Sequence, residues 1–293
     1  MKLKMILARV KSIFSSMLFF MDRKIEVKEG LIILAPPGHR LKEYREVHPQ
    51  YDQFLGELAA VLPPQSIVID IGANIGDSLT LMAACNPNLN FLCVEPDPFF
   101  LNYLKKNMQT VLNSEFTGEV EVLQSFAGSP KSGSLVGGAT TKVFKTSDAS
   151  SGHVFSSLGE LADLAQEKFK SQNVKLVKID VDGYDWEVLD SGMDFIAKDT
   201  PIIFFEAMVI HSAGLDGLIG AVRRLQELNY SFALFDNFGN FVFETNIHTT
   251  VSQLFSYTFP GGAKPPSPIP YFDVLAVPSV EMASLLRNLN LTP

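Results

Sequence analysis

The segment that most constrains this chain is Val68-Ile69-Asp70-Ile71-Gly72-Ala73-Asn74-Ile75-Gly76-Asp77, followed by Phe91-Leu92-Cys93-Val94-Glu95-Pro96. A short, β-branched apolar run ends at an acid, and a turn with two glycines feeds a helix. A second apolar run then closes on another acid, about twenty residues after the turn. This is the layout of a βαβ unit, in which two parallel strands are joined by a crossover helix. In such units a ligand sits at the carboxyl ends of the strands, and an acid ending the second strand accepts hydrogen bonds from ribose hydroxyls. Glu95 stands at that position, and small residues at Gly72 and Gly76 would let a ligand approach the backbone.

The turn departs from the dinucleotide fingerprint. It reads Asp-x-Gly-x-x-x-Gly, with Asn74 inside a longer loop, and Asn tolerates a left-handed backbone better than most residues. A dinucleotide site needs a glycine turn leading straight into a helix N-terminus that faces a pyrophosphate. Asp70 would repel that pyrophosphate. It suits instead a cationic ligand without phosphate, such as S-adenosylmethionine with its sulfonium and ammonium groups. The competing reading is a plain parallel-strand turn with no ligand, and the glycine turn together with an acid at the right separation favours the cofactor over it.

Downstream the chain alternates strand and helix. Strands are expected at Ser66–Ile71, Asn90–Val94, Glu119–Ser125, Lys175–Asp180, Pro201–Glu206, Ser231–Phe235 and Phe272–Val277. Helices are expected at Asp77–Ala84, Pro98–Thr110, Tyr184–Leu189 and Leu215–Leu228. Strands joined by helices form a parallel sheet covered on both faces. Only the last strand follows its predecessor without an evident helix, so it is expected to run antiparallel. The fold class is therefore α/β, a Rossmann-like, seven-stranded, mostly parallel sheet with an N-terminal extension of helix and β structure. The extension covers residues 1–62, with a small β element in Ile25–Leu34 and a helical pattern from Tyr51 to Leu62. Residues 63–293 form the main domain. Two stretches lack a clear period, about 127–157 and 248–270, and are expected to be loop inserts, the first of them a lid beside the site.

The 293 residues carry 46% hydrophobic side chains and 23 phenylalanines, enough for a sizeable core. The net charge is −8, yet residues 1–28 hold seven Lys or Arg against two acids. The remaining body is acidic and has no basic stripe, which argues against nucleic acid as a partner. Leu3, Leu7, Val10, Phe14, Met17 and Met21 would line one face of a helix. That segment is too short to span a membrane, and although it resembles the apolar region of a signal peptide after a basic stretch, no small-x-small cleavage site follows, so for residues 1–21 a helix that packs on the body or a partner, or contacts a membrane peripherally, is favoured over a secretory signal. Cys85 and Cys93 fall in core elements, consistent with a reducing, cytoplasmic compartment.

Two blocks resemble a known family. Val68 to Ser78 together with Val94-Glu95-Pro96-Asp97-Pro98 resembles the opening motifs of FkbM-type methyltransferases. Val177-Lys178-Ile179-Asp180-Val181-Asp182-Gly183-Tyr184-Asp185-Trp186-Glu187-Val188-Leu189 resembles the second block of the same family, Lys-Ile-Asp-Val-acid-Gly, an acid two residues on, then Val-Leu. The resemblance covers roughly residues 50–280. It implies an S-adenosylmethionine-dependent O-methyltransferase on the class I fold, acting on hydroxyls of glycans or small polyhydroxylated natural products. The chain departs from the family pattern at Asp182 and Asp185, where Glu is usual, and at Ser157-Leu158-Gly159-Glu160-Leu161, where Leu-Asp-Asp-Leu is common.

Roles follow from strand ends. Gly72, Asn74 and Gly76 would shape the methionine pocket, Asp70 would help hold the amino group, Glu95 would take the ribose, and Ser125 or Phe126 would flank the adenine. Asp180, Asp182 and Glu206 would face the transfer centre, with Asp182 or Glu206 as the base. Asp182 also fits a plain helix cap with Asp185 as its capping-box partner. Lys178 shares a strand face with Asp180 and fits a counter-ion for a buried acid. Trp186 reads as core. His211 is a further candidate base, with an exposed loop histidine as its ordinary reading, and His153 and His48 are weaker candidates. Asp180, Asp182 and Glu206 offer hard oxygens to Mg²⁺, but nothing in the sequence requires a metal. Two other classes compete: an NAD-type oxidoreductase, which the loop and Asp70 disfavour, and a non-catalytic scaffold with the same fold.

Overall fold

The computed structural model describes residues 21–128, 133–136, 142–145, 154–259 and 269–291. The described chain begins with a hairpin, β1 (Arg23–Lys28) and β2 (Leu31–Ala35), then α1 (Leu41–Val47) and α2 (Gln53–Val61). β3 (Ile67–Ile71), α3 (Asp77–Cys85), β4 (Asn90–Val94), α4 (Pro98–Leu112) and β5 (Val120–Leu123) follow. Short strands β6 (Phe126–Ala127), β7 (Gly133–Val136), β8 (Lys142–Lys145) and β9 (Phe155–Ser156) lead to α5 (Leu158–Phe169). The second half runs β10 (Val174–Ile179), α6 (Asp185–Asp190), α7 (Met193–Asp199), β11 (Ile202–Glu206), α8 (Ser212–Glu227), β12 (Tyr230–Asp236), β13 (Phe241–Thr245), α9 (His248–Thr258), β14 (Phe272–Pro278) and α10 (Ser279–Asn288).

The main sheet has the order β13-β12-β14-β11-β10-β3-β4-β5. Pairing is parallel from β5 through β4, β3 and β10 to β11, and β14 runs antiparallel between β11 and β12. This is the Rossmann-like class I arrangement expected from the sequence, with its last strand inserted in reverse. The strand order changes direction between β3 and β10, and the crevice at such a switch point is where open α/β sheets take ligands.

The structure adds to and corrects the sequence reading. An eighth strand, β13, pairs antiparallel with β12 at the sheet edge; its alternating burial is that of a strand with one solvated face. Residues 248–258 are a helix rather than loop, with Val251 and Phe255 buried. Within 127–157, β6 pairs with β9 and β7 pairs with β8. Helix α5 opens with a capping box, Ser157 and Glu160 bonding each other's backbone amides. Residues 1–20 of the amphipathic segment proposed for residues 1–21, and His153, lie outside the described residues.

Both sheet faces are buried, as parallel strands require. One core layer joins Ile69, Ile71, Val177 and Phe205 to α5, α6 and α8. The other joins Val68, Phe91, Leu176 and Phe204 to α2, α3, α4 and α10. Asn107 of α4 ties the N-terminal hairpin to the glycine turn, bonding the amide and carbonyl of Leu34 and the carbonyl of Ile75. Cys85 and Cys93 are free thiols. No described helix is long and apolar enough to cross a membrane.

Candidate functional site

The glycine turn is built from inside. Asp70 is fully buried; one oxygen accepts from the Ser78 hydroxyl at 2.6 Å and the other pairs with Lys178 at 3.3 Å. Lys178 also donates to the Gly72 carbonyl at 3.2 Å and pairs with Asp180 at 3.3 Å. Burial opposes the charge of Lys178, but Asp70, Asp180, Asp77 and Asp52 outweigh it and hold the ammonium well above its usual range. Lys178 is thus the counter-ion of a buried acid, and Asp70 fixes the turn from beneath.

The two glycines are needed for a reason the sequence does not reveal. Gly72 has φ +76, and a Cβ there would lie 1.8 Å from the Asp180 carbonyl oxygen; Gly76 has φ +84, and its Cβ would lie 2.7 Å from Leu104. Protein rather than ligand fills the room they leave, so they permit close packing of turn, strand end and helix. Asn74 takes φ 46, also left-handed. Its side-chain Oδ1 is buried without a hydrogen-bond partner. Its amide donates to Glu95 Oε2 at 2.9 Å, while Glu95 Oε1 accepts from the Asp97 amide at 2.9 Å. Glu95 therefore sits at the end of β4, locked to the turn, with lone pairs left on both oxygens.

Acids gather at the carboxyl ends of β10 and β11 and at the adjoining start of β14. Glu206 and Asp185 are buried, and Glu206 Oε1 and Asp185 Oδ2 have no hydrogen-bond partner. Asp185 Oδ1 accepts from the Glu206 amide at 3.3 Å. Burial, then Asp180, Asp185, Asp273 and Asp182, push the Glu206 carboxyl well above its usual range. Burial and then Asp180 do the same to Asp185. Asp180 is exposed, at 45% of its side chain. The four acids noted from the sequence after β10 and β11 thus share one electrostatic neighbourhood.

Three members of that neighbourhood were not foreseen. Asp273 and Tyr271, at the start of β14, are both raised by burial and by surrounding acids. Asp52, between α1 and α2, is pushed up to about 7 by burial, then by Asp77 and Asp180. They come from distant parts of the sequence, and only the reversed β14 and the path of the N-terminal segment bring them here.

Other candidates take different places. Asp182 has φ 51 and the helix cap is Tyr184, so the capping reading of Asp182 is wrong; two successive left-handed residues, Asp182 and Gly183, turn the chain before α6 starts. His211 caps α8, its Nδ1 accepting from the Gly214 amide at 2.8 Å, so one ring nitrogen is already engaged. His48 stacks on Phe238 at 4.0 Å. Trp186 packs against the core, over Gly217, where a Cβ would lie 2.3 Å from the indole. The Ser125 hydroxyl bonds Ser156 and the Val154 carbonyl, and Phe126 stacks on Phe155. Among the described residues no group of three or more His, Cys, Asp or Glu could hold a metal ion.

Residues 70–232, more than half of the chain, match the family model described as the methyltransferase FkbM domain. The chain belongs to the FkbM methyltransferase family. A search of curated proteins returned no match. Among solved structures, an FkbM methyltransferase from Methylobacillus flagellatus is 14% identical over 79% of this chain and 50% of its own, with a TM-score of 0.38. This chain thus spans half the length of that protein. A precorrin-6y C5,15-methyltransferase from Geobacter metallireducens is 16% identical, covering 80% and 86%, with a TM-score of 0.40. The TYW2 protein of P. horikoshii, in complex with MeSAdo, is 10% identical, covering 88% and 70%, with a TM-score of 0.41.

Membership of the FkbM family makes S-adenosylmethionine the cofactor, and the residues present fit it. The unpartnered Asn74 oxygen at the turn can accept from a donor, and Glu95 keeps acceptor capacity at the end of β4. Burial pushes the Glu95 carboxyl up to about 7, against the amides of Asp97 and Asn74 that favour its charge. A raised carboxyl binds its proton more tightly folded than unfolded, so its stabilising effect is full below its ordinary value of 4.5 and is lost as pH rises through about 7. For Glu95 alone this is on the order of 3 kcal/mol. The melting temperature of the unliganded protein should fall between about pH 5 and pH 8, and Glu95→Gln should flatten that slope. An unchanged slope in the variant would contradict the assignment.

Proposed function

We propose that this FkbM-family protein methylates a hydroxyl of a glycan or a small polyhydroxylated compound, with Glu206 or Asp182 accepting the hydroxyl proton. S-adenosylmethionine supplies a methyl carbon already bonded to a sulfonium leaving group. The rest falls to the protein: holding the acceptor in line and taking a proton that a free hydroxyl surrenders poorly. The observation that carries this reading is the unpartnered, buried Oε1 of Glu206 inside a group of acids that raise its proton affinity. A hydroxyl can donate to such an oxygen. Once ionised, a carboxylate with a raised pKa is a stronger base than an exposed one. Carboxylates also suit the several donors of a polyol.

The test is a panel of glycosides, polyols and their amino analogues with methyl-labelled S-adenosylmethionine. Methyl ethers, identified by mass and by the O–CH₃ carbon signal, are the expected products. Label found only on nitrogen or carbon would overturn the reading.

A further inference from the structure

Arg45, on α1, carries a guanidinium whose three nitrogens are buried without a single hydrogen-bond partner. Seven residues on, Asp52 feels its charge, yet among the described residues no ion pair joins them. Asp52 has φ 60 and precedes α2 without capping it, so its carboxylate is not spent on the helix. The segment between them is clamped in place. Tyr44 stacks on Tyr51 at 5.4 Å, His48 stacks on Phe238 at 4.0 Å, and the Gln50 carbonyl closes on Gly239. The other charges acting on Asp52 are Asp77, Asp180 and Lys178. Asp77 starts α3 directly after the glycine turn, and Asp180 follows β10. The contact of Gln50 with Gly239 sets this segment against the turn after β12, on the carboxyl edge of the sheet where Glu206 ends β11.

An unpaired buried cation is costly, because desolvation is not offset by any contact. Here it lies near an acid whose carboxylate has no hydrogen bond among the described residues. One kind of ligand satisfies both at once: an α-amino acid, with an ammonium and a carboxylate on the same carbon. We infer that Arg45 and Asp52 form the subsite for the amino-acid end of the cofactor, Arg45 taking the α-carboxylate and Asp52 the α-ammonium. This rests on the family's cofactor being S-adenosylmethionine, and it assigns to the N-terminal segment a task the two sequence blocks do not cover.

Calorimetry on the full chain with two ligands tests it. S-adenosylhomocysteine carries both groups; 5′-methylthioadenosine carries neither. Arg45→Gln and Asp52→Asn should each weaken S-adenosylhomocysteine about tenfold or more and leave 5′-methylthioadenosine within about twofold. Arg45→Lys should keep part of the affinity, because a point charge replaces a fork. The unliganded Arg45→Gln protein should melt no lower than the unaltered one, since a merely structural arginine would lower it. Equal losses for both ligands, or no loss for S-adenosylhomocysteine, would overturn the subsite. Unchanged S-adenosylhomocysteine binding with lost binding of glucuronate would assign the guanidinium to an acceptor anion, and also overturn it. If the unaltered protein binds neither nucleoside, the cofactor assignment fails first and the subsite with it.

Discussion

Replacing Glu206 by Gln is expected to lower kcat by about 10²–10⁴ while leaving affinity for S-adenosylhomocysteine within about twofold. Glutamine preserves size and burial but cannot take a proton. The carboxyl end of β11 holds the side chain with Oε1 unpartnered, so the substitution breaks no existing hydrogen bond to that oxygen. The pH profile should move with the variant. The ionised form is the base and its pKa is raised, so kcat in the unaltered protein should climb as pH rises through that value. In the variant that limb should disappear. Asp182→Asn, measured beside it, decides between the two carboxylates proposed. A Glu206→Gln enzyme within tenfold of the parent, with its pH limb intact, would move the proton acceptor away from Glu206.

How much of this was legible before folding depended on what each residue touches. The parallel strands announce themselves as branched apolar runs ending at acids, because strands buried on both faces have no polar side to show. Asp70, Glu95, Asp180 and Glu206 could be placed at strand ends for that reason. β13 escaped notice because Phe241-Val242-Phe243-Glu244-Thr245 is a short edge strand following a turn within a stretch without other signals. Helix α5 could have been found, since Ser157 and Glu160 precede Leu161, Ala162, Ala165 and Phe169 at helical spacing. Asp52, Arg45, Tyr271 and Asp273 could not. Arg45 lies on a short helix and the others in a connection or at the start of a strand, and the position of each is set by the whole sheet. The glycines teach a related lesson: Gly72 and Gly76 were recognisable as places of close approach, but what approaches them, the Asp180 carbonyl and Leu104, is set by partners remote in sequence.

The largest stability change is expected at Lys178. Lys178→Met leaves Asp70 with no exposure and only the Ser78 hydroxyl for company. Removing one partner of a buried pair strands the other charge and typically costs about 3–5 kcal/mol. In a domain of this size that corresponds to a drop in Tm of roughly 10 °C. Asp70→Asn should cost less, since Lys178 would keep Asp180 at 3.3 Å and the Gly72 carbonyl at 3.2 Å. The double variant should be more stable than Lys178→Met alone, because the stranded carboxylate is gone, and the non-additivity should reach about 1–3 kcal/mol in a double-mutant cycle. Cofactor binding adds a second readout. Lys178 donates to the carbonyl that opens the glycine turn, so the double variant, though refolded, should still bind S-adenosylhomocysteine more weakly than the parent. Additive losses in chemical denaturation would mean that Lys178 and Asp70 act independently, and the turn would have to be held by its other contacts, those of Gly72 and Ala73 to Val94, of Asn74 to Glu95 and of Ile75 to Asn107.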